Sequence, residues 1–151
     1  MKTLKITWRR LVDEKGQTCQ RCGSTEKELQ KAVKSLEKSL APLQIKVTLE
    51  KTVLDPDTFA RDPSQSNLIL IGRRPLEEWL NAQVGQSPCC DICGVAECRT
   101  VEVKGKTYEM IPSDLIVKAG LLAVSQLLNL ERKKRVNSRD TILNLKTSYN
   151  K

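Results

Sequence analysis

Residues 18–29, TCQRCGSTEKEL, contain two features that decide the fold: two cysteines separated by two residues, and the start of a helix. Thr25 and Glu28 have the spacing of a capping box, which predicts that the helix begins at Thr25. Pro42 ends it. Four apolar residues share one face of this helix: Leu29, Val33, Leu36 and Leu40. The segment therefore predicts an amphipathic helix whose N-terminus follows the cysteine pair.

The segments on either side of this helix alternate apolar and polar residues, which is the two-residue period of a strand with one face in water. The apolar positions are Leu4, Ile6, Trp8, Ile45, Val47 and Leu49. A strand, a helix and a strand in succession predict a β-α-β unit with a right-handed crossover and two parallel strands.

The second half of the chain contains further strands and one long insertion. The apolar run NLILIG at residues 67–72 predicts a central strand. Residues 73–98 form a cysteine-rich insertion that opens with RRPLEEWL, where Pro75 favours a short helix. CRTVEVKGKTYEMI at residues 98–111 predicts a hairpin, and IPSD at residues 111–114 starts the last helix.

These elements predict an α/β protein with a mixed sheet of four to five strands in the order β-α-β-β-β-α. Two main helices lie on one face, and the insertion precedes the last hairpin. The length of 151 residues suits one domain, which we assign to residues 1–130. Residues 131–151 form a basic polar tail, with seven Lys or Arg against two Asp or Glu, and a composition typical of a solvated, partly disordered extension.

The charge and hydropathy of the chain narrow the classes of partner. The basic run in ERKKR, which begins at Glu131, is typical of a solvated helix end, and the tail has one aromatic residue, so nucleic-acid binding is not expected. The N-terminal MKTLKITWRR lacks the apolar region of a secretory signal, which predicts a cytoplasmic protein. Residues 115–130 are too short and polar to predict a membrane span. The last helix is expected either to be deeply buried or to form a homodimer contact.

The six cysteines carry the chemistry that the sequence allows, since the chain has no histidine for serine–histidine catalysis. Cys19 and Cys22 fit two alternatives. As a redox pair at a helix N-terminus, Cys19 would attack and Cys22 would resolve, and Arg21 between them would favour the thiolate. As one of two C-x-x-C-G knuckles, the pair would ligate a structural zinc.

Cys89, Cys90, Cys93 and Cys98 form a second group within ten residues. Thiolates so close together favour a thiophilic metal, with zinc first and copper(I), an iron–sulfur cluster, arsenite or mercury as alternatives. A second dithiol and small buried apolar residues are the other interpretations. A six-residue strand is about 20 Å long, and the insertion leaves the sheet at the end opposite Cys19. Two separate sulfur sites are therefore expected.

The element order and the position of CQRC resemble the thioredoxin-like superfamily. The chain is more closely similar to a small cysteine-rich prokaryotic family described as a domain of unknown function with a thioredoxin-like fold. The matching segments are TCQRCGSTEKEL, SNLILIGRRPLEEWL, GQSPCCDICG, CRTVEVKGKTYE and IPSDLIVKAGL. The resemblance implies a thioredoxin-like fold with Cys19 and Cys22 as the redox pair.

Two functions follow from these observations. The first is a thiol–disulfide oxidoreductase that exchanges disulfides with a partner protein, with the second cysteine group holding a thiophilic metal ion or acting as a second dithiol. The alternative is a non-enzymatic module in which all the cysteines ligate zinc or another thiophilic metal.

Overall fold

A computed structural model of the chain describes residues 2–88 and 96–148. The strands in these residues are β1 (Lys2–Leu11), β2 (Ile45–Leu54), β3 (Leu68–Ile71), β4 (Arg74–Pro75), β5 (Gln83–Pro88), β6 (Glu97–Val103) and β7 (Lys106–Tyr108). The helices are α1 (Gln20–Leu40), α2 (Pro56–Arg61), α3 (Leu76–Trp79) and α4 (Ser113–Ser148), with short 3-10 turns at Ala41–Leu43 and Pro63–Gln65.

The first sheet has four strands in the order β2-β1-β3-β4. β1 and β2 are parallel along their whole length, as the β-α-β pattern predicts, and β3 is antiparallel to both β1 and β4. Leu68 at the start of β3 lies opposite Arg9 near the end of β1. The start of β3 therefore lies at the end of the sheet where β1 leads towards the cysteine pair.

One face of this sheet packs against α1 and α4, as expected for the two main helices. Leu4 and Ile6 of β1 are almost fully buried in this core, whereas Lys5 between them is exposed. The helices meet closely, because a Cβ atom on Gly120 of α4 would lie 2.8 Å from Cδ1 of Leu36 in α1. The side chains that α1 and α4 add to the core include Leu29, Ala32, Leu36, Leu40, Ile116, Ala119 and Ala123.

The expected mixed sheet is confirmed with four strands, but the hairpin after the insertion belongs to a second sheet and not to the first one. β6 and β7 form the predicted hairpin, and β5 pairs with the other edge of β6 to give the antiparallel order β5-β6-β7. A strand at Gln83–Pro88 was not predicted, because QVGQSP lacks alternation and contains glycine and proline. Gly85 allows the pairing, since a Cβ atom there would lie 2.8 Å from Oγ1 of Thr100.

The last helix is much longer than the sequence predicts. α4 continues through the basic tail as far as Ser148, so the tail is helical there and not the partly disordered extension that we expected. Residues 132–146 are exposed all round, as expected of a solvated segment. With a rise of about 1.5 Å per residue, the part beyond Glu131 adds about 25 Å of helix that extends past the body of the protein.

Within the described residues, α4 is the one helix long and apolar enough to cross a membrane. We expected no membrane span because residues 115–130 are too short. α4 is longer than this segment, so that argument does not apply to the whole helix. Core helices of soluble proteins have the same length and composition, so this property alone is weak evidence for a span.

Candidate functional site

The cysteine pair lies at the very start of α1. Cys19 is the N-cap residue, with an extended backbone, and its Sγ accepts a hydrogen bond from the backbone N–H of Cys22 at 3.5 Å. The helix therefore begins at Gln20, five residues earlier than the capping box predicts. At this position the backbone N–H groups and the positive end of the helix dipole stabilise a thiolate on Cys19.

Thr25 and Glu28, which were expected to cap α1, lie inside it and contact the segment that leads into α4. Thr25 Oγ1 accepts a hydrogen bond from the backbone N–H of Ile111 at 3.4 Å. Glu28 Oε2 accepts one from the backbone N–H of Ser113 at 2.8 Å. The hydrogen bonds from Lys31 and from Ser113 lower the pKa of Glu28 to about 2. The prediction of a capping box at the start of α1 is therefore wrong, and Glu28 instead accepts a hydrogen bond from the first residue of α4.

Cys98 lies beside this pair, although the sequence places it in the second cysteine group. It follows the first residue of β6, pairs with Ser87 of β5, and is 0 % exposed in the same core cluster as Cys19 and Cys22. Ionisation of Cys98 would raise the pKa of Cys22. The expectation of two separate sulfur sites is therefore wrong for Cys98.

Arg21 explains how the insertion reaches the start of α1. Its Nη2 donates hydrogen bonds to Ser87 Oγ at 2.9 Å and to the carbonyl oxygen of Pro88 at 2.8 Å, and it lies 3.2 Å from a carboxylate oxygen of Glu109. These contacts attach the end of β5 to one of the two residues between the cysteines. The guanidinium was expected to favour the Cys19 thiolate, but it contacts the end of β5 and Glu109 instead. The insertion therefore returns along the molecule to the start of α1.

The pKa of Cys22 is raised well above the ordinary range of a thiol. The causes are a hydrogen bond with Cys19, burial, and repulsion by the thiolates of Cys19 and Cys98, while a hydrogen bond with Ser66 acts in the opposite direction. Cys22 is 1 % exposed. Cys22 therefore keeps its proton when Cys19 is a thiolate.

Cys19 is the cysteine of the pair that reaches a surface cavity. This cavity has a volume of about 550 Å³ and is lined by Cys19 together with residues of the first three turns of α1. The lining residues are Thr18, Cys19, Gln20, Gly23, Ser24, Glu26, Lys27 and Gln30. Cys22 does not line this cavity, and Cys19, which does, is itself only 4 % exposed.

A buried ion pair beside Cys98 could not be predicted from the sequence. Arg99 donates from Nη2 to Glu77 Oε1 and from Nη1 to the carbonyl oxygen of Ser64 at 2.8 Å. Both side chains of the pair are less than a tenth exposed. Burial lowers the pKa of Arg99. The pair fixes β6 against α3 and against the turn before Ser66, so it holds Cys98 in place relative to Cys22.

The predicted metal ligands are only partly described. Cys89, Cys90 and Cys93 lie outside the described residues, and Cys98 is the one member of that group whose position is known. In residues 2–88 and 96–148, no three Cys, Asp or Glu side chains are arranged to hold a metal ion. Cys19, Cys22 and Cys98 therefore do not make a metal site by themselves.

Comparisons with known proteins identify the family of this chain. A family model described as a domain of unknown function, DUF2703, matches residues 4–120. An uncharacterized protein of Archaeoglobus fulgidus is 48% identical over 113 residues, which are 75% of this chain and 82% of the archaeal protein. No solved structure matches the chain. Since the family model covers β1 to the first turns of α4 and includes all six cysteines, the chain belongs to the DUF2703 family.

Proposed function

We propose that the protein is a thiol–disulfide redox protein with a thioredoxin-like fold, in which Cys19 attacks and Cys22 resolves. The observation that carries the proposal is the position of Cys19: it is the N-cap of α1, its Sγ receives an N–H hydrogen bond, and it lines a surface cavity. Cys22, one turn further along, is buried and retains its proton.

The strand order supports the fold assignment. β1 and β2 are parallel and joined by α1, and β3 and β4 follow as antiparallel neighbours, which is the arrangement that the resemblance to thioredoxin-like proteins implies. Ser66 stands before β3, where that superfamily typically has a cis-proline facing the thiols. Ser66 interacts with the Cys22 thiol, so the segment before β3 approaches the cysteines here as well.

The reaction would proceed by two exchanges. The Cys19 thiolate attacks one sulfur of a partner disulfide, forms a mixed disulfide, and releases the other sulfur as a thiolate. Cys22 then loses its proton and attacks Cys19 Sγ, which closes the Cys19–Cys22 disulfide and releases the second partner thiol. Once Cys19 is in the mixed disulfide it carries no negative charge, so its repulsion no longer raises the pKa of Cys22.

Two matched serine variants test this assignment. Cys22→Ser should accumulate a mixed disulfide with a peptide disulfide substrate, because the attacking thiol is present and the resolving thiol is not. Cys19→Ser should trap none and should lose turnover in a disulfide-reduction assay. Equal trapping by both variants, or full activity of Cys19→Ser, would refute the assignment.

Metal binding is the second proposal, and the presence of four cysteines within residues 89–98 supports it. Thiols are the ligands that zinc and other thiophilic ions prefer when histidine is absent. Cys89, Cys90, Cys93 and Cys98 would hold the ion, which would stabilise the fold. Zinc content of protein purified with a reductant tests this proposal: stoichiometric zinc that Cys98→Ser loses would support it, and metal-free folded protein would contradict it.

A further inference from the structure

Cys98 lies where a third thiol could exchange with the redox pair. Two independent contacts fix this position. Its cross-strand partner Ser87 is bound by Arg21, the residue before Cys22. The next residue, Arg99, is bound to the carbonyl oxygen of Ser64, two residues before the serine that interacts with Cys22. Cys98 is thus held in the buried core where it interacts with Cys22, and it is not among the residues that line the cavity with Cys19.

We propose that Cys98 is a third redox-active thiol, which moves the disulfide of the oxidised protein from Cys19–Cys22 to the buried pair Cys22–Cys98. This inference rests on the proposed redox function and adds a regulatory state to the same site. Cys22 is the common member of both disulfides, because both Cys19 and Cys98 interact with its thiol.

The exchange is an isomerisation that consumes no oxidant or reductant. The Cys98 thiolate attacks Cys22 Sγ, the Cys22–Cys98 bond forms, and the Cys19–Cys22 bond breaks with its electron pair on Cys19 Sγ. The proton that Cys98 loses is returned, through solvent, to Cys19. The product has one disulfide and one thiol, as the starting form does.

The two oxidised forms differ in what they present to a partner. In the Cys19–Cys22 form, the attacking sulfur is already oxidised. In the Cys22–Cys98 form, the disulfide has no direct access to the cavity, and Cys19 is again a thiol in the cavity wall. The buried disulfide would therefore store the two-electron oxidation in a form that reductants reach slowly, while Cys19 remains able to form a mixed disulfide.

Disulfide mapping of the full-length protein tests the inference directly. The protein is oxidised with diamide, quenched with acid, alkylated with N-ethylmaleimide, and digested with trypsin and glutamyl endopeptidase. Cleavage after Arg21 separates Cys19 from Cys22, and cleavage after Glu97 separates Cys98 from the three cysteines before it. A Cys22–Cys98 disulfide then appears as residues 22–26 linked to residues 98–99.

We expect both the Cys19–Cys22 and the Cys22–Cys98 links in the wild-type protein. In Cys19→Ser, most of the Cys22 should be found in the Cys22–Cys98 link. The amount of alkylated Cys22 should fall by the same amount. In Cys98→Ala, only the Cys19–Cys22 link should remain. Circular dichroism shows whether each variant is folded. If a variant is not folded, the disulfide map of the wild-type protein still tests the inference.

The outcomes separate the two proposals. If wild type forms Cys19–Cys22 and reduces disulfides, but Cys22 of folded Cys19→Ser stays alkylated or pairs elsewhere, the role of Cys98 is refuted and the redox function stands. If no disulfide involving Cys19 forms at all, the redox function itself fails.

Discussion

Replacing Glu77 with alanine should destabilise the protein far more than the same change at the next residue, Glu78. Glu77 pairs with Arg99 where the two side chains are 8 % and 9 % exposed. The alanine variant would leave the guanidinium buried with its bond to the Ser64 carbonyl and the weaker attraction of Asp62. A buried charge that loses its partner is costly because water cannot replace the lost interaction.

The expected cost follows from this geometry. Removing one partner of a buried ion pair typically costs about 3–5 kcal/mol, and the contacts that Arg99 keeps place this case near the lower value. About 3 kcal/mol corresponds to a decrease in Tm of roughly 6–12 °C for a chain of this size. Glu78 pairs with Arg74 at 3.3 Å, with side chains 55 % and 44 % exposed. Such a surface pair contributes about 0.5 kcal/mol or less.

Urea unfolding followed by far-ultraviolet circular dichroism, in reducing buffer, measures both variants. A double variant, Glu77→Leu with Arg99→Met, should recover much of the loss, since apolar residues of similar volume often replace a buried pair without cost. If the Glu77→Ala and Glu78→Ala proteins have equal stabilities, or if the double variant is the least stable of the set, the reasoning from burial is refuted.

Two further predictions concern titration. In Cys19→Ala, the hydrogen bond and charge that raise the pKa of Cys22 are lost. Alkylation of Cys22, followed by mass spectrometry, should therefore begin at lower pH than in wild type, and an unchanged pH profile would contradict the role of Cys19 in raising this pKa. The pKa of Glu28, lowered to about 2 by Lys31 and the Ser113 N–H, predicts stabilisation that is complete above about pH 4.5 and lost towards pH 2. The stability difference between wild type and Glu28→Gln should therefore shrink as the pH falls over this range, and a constant difference in urea midpoints would contradict it.

The parts of the fold that depend on local patterns were predictable. Alternation gave β1 and β2, an apolar run gave β3, and the Lys104–Gly105 turn gave the β6–β7 hairpin, because in each case one short segment contains the signal. Lys104 and Gly105 both have positive φ, as a tight hairpin turn requires. The parallel pairing of β1 and β2 followed from the connection alone.

The parts that depend on distant contacts were not predictable. β5 is a strand because β6 pairs with it, and nothing in its own six residues shows this. Glu28 reads as a local cap, but its partner is the backbone of Ser113, 85 residues away. Cys98 is close to Cys89, Cys90 and Cys93 in sequence, yet the hairpin and Arg21 place it beside Cys22. A sequence pattern without tertiary contacts cannot contain such information.

The contacts of Arg21 with the end of β5 and with Glu109 affect how the protein folds. Arg21 and Ser87 are 66 residues apart, and Thr25 and Ile111 are 86 apart. Contacts across such long loops form late, because the entropy of closing the loop must be lost before the contact is gained. Until the hairpin and α4 have docked, Cys19 and Cys22 lack the cover that holds their final environment. Newly synthesised chains should therefore be more prone to incorrect cysteine pairing than the folded protein, and refolding yield should depend on the redox state of the medium.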